Sequence, residues 1–171
     1  MRLLLDLDAK DYTDSDNSFM IRKAARAIIL KNGKISMAHS SVYDFFKFPG
    51  GGVKRDETIE EALIREVKEE TGLIVKPESI KEYGYVLEKY KMKDLPNSIY
   101  TQYSYYYFCD VEDEIKEQHL DEYENDYGFE LSVTSVEEAY LRNKYYNEHS
   151  GMLRYIKREE LVLELLKNEK K

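Results

Sequence analysis

Glu66, Glu69 and Glu70 stand three and four residues apart in the run IEEALIREVKEE, which is rich in helix formers and contains neither Gly nor Pro. Thr58 followed by Glu61 is a capping-box pattern that marks a helix start, and Gly72 is placed to close the helix in a left-handed conformation. The sequence therefore predicts a helix from Ile59 to Thr71. At roughly 100° per residue, with Glu66 at zero, Ile59 falls near ~20°, Leu63 near ~60° and Val67 near ~100°, an apolar stripe that must face a core. Glu70, near ~40°, lies inside that stripe, and Glu69, near ~−60°, lies beside it. Carboxylates on a buried face need compensation. Each close pair repels by on the order of 4 kcal/mol at ~4 Å and an effective dielectric of ~20. Protons could neutralise them, or a cation could. Hard oxygen ligands at this spacing suit Mg²⁺ or Mn²⁺, with waters and substrate phosphates completing the shell. Glu60, Glu61 and Lys68 fall on or near the outer face and read as solvated surface.

The segment before the helix, Phe48-Pro49-Gly50-Gly51-Gly52, permits tight turns that residues with a Cβ resist. Such a backbone can present carbonyls to a metal and amides to phosphate oxygens. Glycine-rich loops are common on their own; this one leads within a few residues to the acid cluster.

Gly51, Glu57, Arg65, Glu66, Val67, Glu69, Glu70, Gly72 and Leu73 fill every specified position of the pattern G-x5-E-x7-R-E-U-x-E-E-x-G-U, where U is a bulky aliphatic residue. In this the chain resembles the Nudix hydrolases. The resemblance implies an α/β fold, an α/β/α sandwich with a mixed central sheet, carrying a loop–helix–loop metal site. It implies an enzyme that hydrolyses a nucleoside diphosphate linked to another moiety with Mg²⁺ or Mn²⁺. Carried over by position, Glu66, Glu69 and Glu70 would be metal ligands, joined by the Gly50 carbonyl. Arg65 would orient the glutamates through a salt bridge, and Glu57 would brace the loop against the helix. Gly51 and Gly52 would lie against substrate. Many members draw a further ligand or base from a loop between later strands. Glu122 and Glu124 are the candidates here, with Glu124 preferred for its place near the return to the sheet. Glu69 and Glu124 compete for the role of catalytic base.

The elements that must hold this site can be read around it. With 171 residues a single domain, 1–171, is expected, large enough to bury a core without disulfides. The lone Cys109 reads as a small buried hydrophobe and fits a reducing cytoplasm. No apolar run approaches the ~20 residues of a membrane span. The net charge of −8, with no basic stripe, argues against general nucleic-acid binding. It is compatible with an enzyme that meets a small nucleotide substrate through a cation.

Residues Arg2–Leu7, Lys23–Leu30 and Lys34–His39 read as strands, the last two joined by an Asn32-Gly33 hairpin turn. Phe45–Phe48 would deliver the chain to the glycine loop. Ile80–Lys91 and Ile99–Val111 read as longer strands, the second apolar on both faces and so belonging in a sheet covered on both sides. The acidic stretch Glu112–Asp126 reads as a long surface loop. Phe129–Val133 is a strand, Ser135 caps a helix, and Arg158–Lys167 a final helix. Tyr43, Phe45 and Phe46, just before the glycine loop, are candidates for stacking on a base, with Phe46 the one assigned to substrate. Tyr90, 17 residues past Leu73, stands near where dinucleoside polyphosphate enzymes often carry a tyrosine.

The reading that emerges is a metal-dependent pyrophosphohydrolase. Its substrate class is open among nucleoside diphosphate sugars such as ADP-ribose, oxidised nucleoside triphosphates and dinucleoside polyphosphates. A non-catalytic nucleotide-binding module on the same fold is the alternative, although such a domain is expected to have lost acids that this chain keeps. A homodimer, common in the family, is compatible with the chain.

Overall fold

A computed structural model describes residues 1–169. Strand β1 (Leu3–Asp8) is followed by β2 (Ser18–Lys31), β3 (Lys34–Ser40) and β4 (Phe45–Lys47), then helix α1 (Ile59–Thr71) and β5 (Leu73–Val75). Strands β6 (Lys81–Lys91), β7 (Ser98–Phe108) and β8 (Val111–Ile115) come next, then a short helix α2 (Glu122–Asp126). Strand β9 (Phe129–Thr134) and helices α3 (Val136–His149) and α4 (Arg154–Glu169) complete the chain.

The main sheet runs β1-β6-β7-β2-β3-β4, with β9 on the free side of β3. It is mixed: β1 with β6 and β2 with β7 are parallel, and the remaining pairs are antiparallel. Pleat alternation on β2 assigns its two faces. Ala25, Ala27 and Ile29 pack under α1 with Leu63 and Val67, whereas Ile28 packs toward α3 and α4 with Tyr140 and Leu163. Strand β7 is apolar on both sides for this reason: Tyr106 faces the α3–α4 layer and Tyr107 faces α1. The result is the expected α/β/α sandwich. Among the described residues no helix is long and apolar enough to cross a membrane.

Two stretches differ from the sequence reading. The strand from Lys23 extends back to Ser18 because its first half pairs in parallel with β7 from Ser98 onward. The expected loop 112–126 contains β8, paired with β5, and α2. It is strapped to the end of α1, where the Lys116 N–H donates to Gly72 O and the His119 N–H to Glu69 O, each at 2.8 Å. Only long-range pairing reveals this, since the β8 side chains beyond Val111 are exposed.

Candidate active site

Helix α1 begins at Ile59 and ends at Thr71, as the sequence predicts. The Thr58 hydroxyl accepts from the Glu61 N–H and the Glu61 carboxylate from the Thr58 N–H, satisfying two orphan amides at the helix start. Gly72 closes the helix at φ 73°, with its N–H donating to Lys68 O. The apolar stripe Ala62–Leu63–Val67 is buried, and Glu70 is buried with it, 2 % exposed.

The glycine loop passes along the edge of β2 where β3 has left it. The Ala27 N–H donates to Pro49 O at 2.8 Å, the Ala25 N–H to Gly51 O at 2.9 Å and the Val53 N–H to Lys23 O at 3.0 Å. Gly51 lies directly over Glu66: a Cβ there would stand 2.4 Å from the Glu66 carboxyl carbon. Only a residue without a side chain lets the loop close on that carboxylate.

One guanidinium organises the outer acids. Arg65 grips Glu57 with two bonds, Nε to Oε1 at 2.6 Å and Nη2 to Oε2 at 2.9 Å. Its Nη1 donates to Glu66 at 2.7 Å and to Glu69 at 3.0 Å, and Nη2 reaches Gly52 O at 3.1 Å. The bidentate Arg65 bond is the main reason the Glu57 carboxyl is held down at about 2.

The inner acids have a different cation. Lys47, projecting from β4, places Nζ 2.5 Å from Glu70 Oε1 and 3.5 Å from Glu124 Oε1. Glu70 Oε2 accepts from the Gly50 N–H at 2.9 Å, and Glu124 also accepts from the Tyr123 hydroxyl and the Asp121 N–H. Burial pushes the Glu70 carboxyl up to about 7 against the pull of Lys47 and Arg26. Burial acts on Glu124 in the same sense, but Lys47 and the Asp121 amide hold it below the ordinary carboxylate value. Two neighbouring acids are thus pushed apart, one toward the neutral form and one toward the ionised form.

These groups border a cavity of about 430 Å³. One wall is Gly50, Gly51 and Gly52 with Glu66 and Glu70, and Lys47 and Glu124 lie beside it. The face of the sheet contributes Arg22 and Arg26 from β2, Tyr100 and Gln102 from β7, and Glu88 and Tyr90 from β6. The start of α4 covers the far side with Arg154, Tyr155 and Arg158. There Arg158 pairs with Glu88 and Glu159, and Glu159 accepts the Phe48 N–H at 2.9 Å, which ties α4 to the glycine loop. Arg154 lies over the Tyr90 ring at 4.3 Å, with the Tyr100 ring 5.1 Å further on.

The structure thus brings Gly50, Gly51, Gly52, Glu66, Glu70 and Glu124 to one cavity. Arg65 and Glu69 stand next to it, and Glu69, its side chain 40 % exposed, does not border it. Phe46, assigned from sequence to substrate, is placed elsewhere: it is buried in the core between the sheet and α3, against His39. Pleat alternation turns it away from the side on which Lys47 projects. Phe45 is equally buried, and Tyr43 packs on it rather than on the cavity. The aromatic rings that do border the cavity are Tyr90, Tyr100, Tyr123 and Tyr155.

The three glutamates stand on one helix but are not gathered around one point in this structure. Among the described residues no three acidic, His or Cys side chains gather in metal-holding geometry. Each carboxylate is turned to a protein cation instead: Glu70 to Lys47, Glu66 and Glu69 to Arg65. The Gly50 carbonyl likewise accepts from Arg26. The donor set nevertheless fits a hard divalent ion in kind. All the donors are oxygens, Glu66, Glu70 and Gly50 lie on the same wall, and the missing side chain at Gly51 leaves room for the Glu66 carboxylate.

The sequence reading missed Lys47 and Arg26. The signal was present in both cases. Lys47 is the one charge among Phe45, Phe46 and Phe48, and Arg26 interrupts the apolar run Ala24–Leu30. A charge in a strand buried on both faces implies a partner or a ligand.

A family model described as the NUDIX domain matches residues 20–156. An ADP-ribose pyrophosphatase of Methanocaldococcus jannaschii is 47% identical over 60 residues, 33% of this chain and 36% of that protein. An RNA pyrophosphohydrolase of Hydrogenovibrio crunogenus is 35% identical over 77 residues, 45% of each chain. The chain therefore spans less than half the length of these curated relatives. Among solved structures, a NUDIX hydrolase from Nitrosomonas europaea is similar at a TM-score of 0.54 and 18% identity, over 73% of this chain and 79% of that one. That likeness is one of fold.

Proposed function

The chain belongs to the Nudix family, and on that footing we propose that it is a metal-dependent pyrophosphohydrolase acting on a small nucleotide. Glu66, Glu69, Glu70 and the Gly50 carbonyl would hold Mg²⁺ or Mn²⁺. Such an ion, when bound, would offset charge developing on the phosphates and acidify a bound water.

The chain's own residues do the rest. Arg65 fixes Glu57, Glu66 and Glu69 relative to the Gly52 carbonyl, so the acids are oriented before substrate arrives. Gly51 and Gly52 let a diphosphate approach the backbone without meeting a side chain. Glu124, ionised beside Lys47, can accept a water proton at Oε1 or Oε2. Glu69 is the competing base. The observation that carries the reading is the pairing of Glu66 and Glu70 with a glycine loop on one cavity wall, in a chain that keeps the complete acid set. A non-catalytic binding module would not need all of these acids.

The test is turnover of a substrate panel with Mg²⁺: ADP-ribose, a nucleoside triphosphate, a dinucleoside polyphosphate and a 5′-triphosphorylated RNA. Glu70→Gln and Glu69→Gln are expected to lower kcat by about 100-fold or more while the melting curve persists, the scale at which one transition-state contact is lost. Wild-type rates in both variants, or tight nucleotide binding by the wild type without metal-dependent turnover, would defeat the assignment. A larger loss in Glu124→Gln than in Glu69→Gln would identify Glu124 as the base.

A further inference from the structure

Arg26 is a buried guanidinium that no carboxylate contacts among the described residues, although Glu70 feels its charge. It is 6 % exposed. Its Nη1 donates to the Phe48 carbonyl at 3.4 Å and to the Gly50 carbonyl, and its buried Nε has no hydrogen-bond partner in the protein. Among the described residues it makes no ion pair with a carboxylate. A guanidinium stays protonated in proteins, so burial does not neutralise it. Buried charges are normally paired, because their lost hydration must be replaced. The other deeply buried cations of this cavity obey the rule: Lys47 has Glu70 and Glu124, and Arg158 has Glu88 and Glu159.

Arg22 lies four residues earlier on the same strand face as Arg26, since pleat alternation repeats every second residue. It also borders the cavity and makes no ion pair or side-chain hydrogen bond among the described residues. Its guanidinium runs beside Gly52, where a Cβ would meet Nη2 at 3.3 Å. Ala24, between the two arginines, is too short to separate them. Arg154 is a third guanidinium on the cavity without an ion pair among the described residues, resting on Tyr90. Three guanidiniums without an ion pair among the described residues, on one cavity, offer donors for three phosphate groups, one more than a diphosphate presents.

We propose that Arg26 is the base of an anion site on the sheet face of the cavity, with Arg22 at its entrance, and that it selects substrates carrying three or more linked phosphates. The proposal rests on the pyrophosphohydrolase reading for the word substrate, but the anion site itself does not. Arg26 holds phosphate oxygens beside the Gly50 end of the acidic wall, and its unused Nε–H is the donor that a phosphate satisfies.

The test is titration calorimetry of the full chain with inorganic tripolyphosphate and with pyrophosphate, both in EDTA, so that no turnover enters. Wild type is expected to bind tripolyphosphate more tightly than pyrophosphate. Arg26→Met is expected to weaken tripolyphosphate binding at least tenfold, and Arg26→Lys to recover part of the loss. Folded Arg26→Met that binds tripolyphosphate like wild type would overturn the proposal, as would a wild type indifferent to chain length. Should Arg26→Met fail to fold, Arg22→Ala at the exposed entrance takes its place. A several-fold loss there supports the site, and unchanged binding overturns it. Arginine-dependent binding in a chain that hydrolyses nothing on the panel would refute the enzymatic reading and leave the anion site standing.

Discussion

The Lys47 ammonium stands 2.5 Å from the Glu70 carboxylate, and both side chains are at most 5 % exposed. Glu124 shares the same ammonium at 3.5 Å. One cation therefore compensates two buried acids. Lys47→Met leaves those acids facing each other without a counter-charge. It is expected to lose about 3–5 kcal/mol of stability near neutral pH, the range for breaking a buried pair from one side. Part of that loss should return as pH falls and the acids protonate. Mn²⁺ should raise the melting temperature of Lys47→Met more than that of wild type, because the ion replaces the missing charge. Equal melting temperatures of variant and wild type across pH would contradict this account of the pair.

Gly50 and Gly51 are adjacent but should respond differently to alanine. At Gly50 φ is +140° and a Cβ would lie 2.0 Å from the Ala25 carbonyl oxygen, which is backbone of the central strand. At Gly51 the obstacle is the end of the Glu66 side chain, which can move. Gly50→Ala is expected to destabilise by about 3 kcal/mol or more through strain and steric conflict. Gly51→Ala should keep its stability within about 1 kcal/mol, yet lose turnover by roughly 100-fold as Glu66 is displaced. Urea melts and kcat together separate the two cases.

Glu57 gives the site an acid limit. Arg65 holds its carboxyl at about 2 against an ordinary value of 4.5. A depressed acid stabilises the fold fully above its unfolded pKa, and that contribution disappears as pH falls through the folded one. Between about pH 4.5 and 2 the wild type should therefore lose on the order of 2 kcal/mol that Glu57→Gln never had. The check is the difference in unfolding free energy between the two proteins at pH 6, 4 and 3. A constant difference across that range would remove the Arg65 bond as the cause.

Thr58→Ala removes the hydroxyl that accepts the Glu61 N–H at 3.1 Å. A stability loss of about 1 kcal/mol is expected, typical for an N-cap. No change in the thermal melt would mean that the helix start is held by the following loop contacts alone.

The features legible in the sequence are those fixed by neighbours along the chain. The bounds of α1 follow from Thr58, Glu61 and Gly72, and the hairpin turn follows from Asn32 and Gly33, which both adopt positive φ. Glu70 was placed inside the apolar stripe by helical geometry alone. What was not legible depends on residues far apart. Lys47 meets Glu124 across 77 positions, and β8 finds β5 although its own pattern shows no buried alternation. Phe45 and Phe46 are both buried, one on each face of β4, and only the elements packed against that strand keep the two rings from the cavity. Glu124 was singled out by its nearness to the sheet, and its partners Lys47 and Tyr123 come from folding. Helix α4 starts at Arg154 rather than Arg158, and that first turn carries the residues that cover the cavity.

The stretch that matches the family, 20–156, leaves out β1 and all but the opening of α4. Expressing only that stretch would strip the hydrogen-bonding neighbour from Leu87–Lys89 and lay bare a strand border open to self-association. It would also delete Arg158 and Glu159 together with Leu163 and Leu166, stranding Glu88 and the Phe48 amide without their partners. Where the recombinant polypeptide is cut should therefore follow the packing, with both flanks retained.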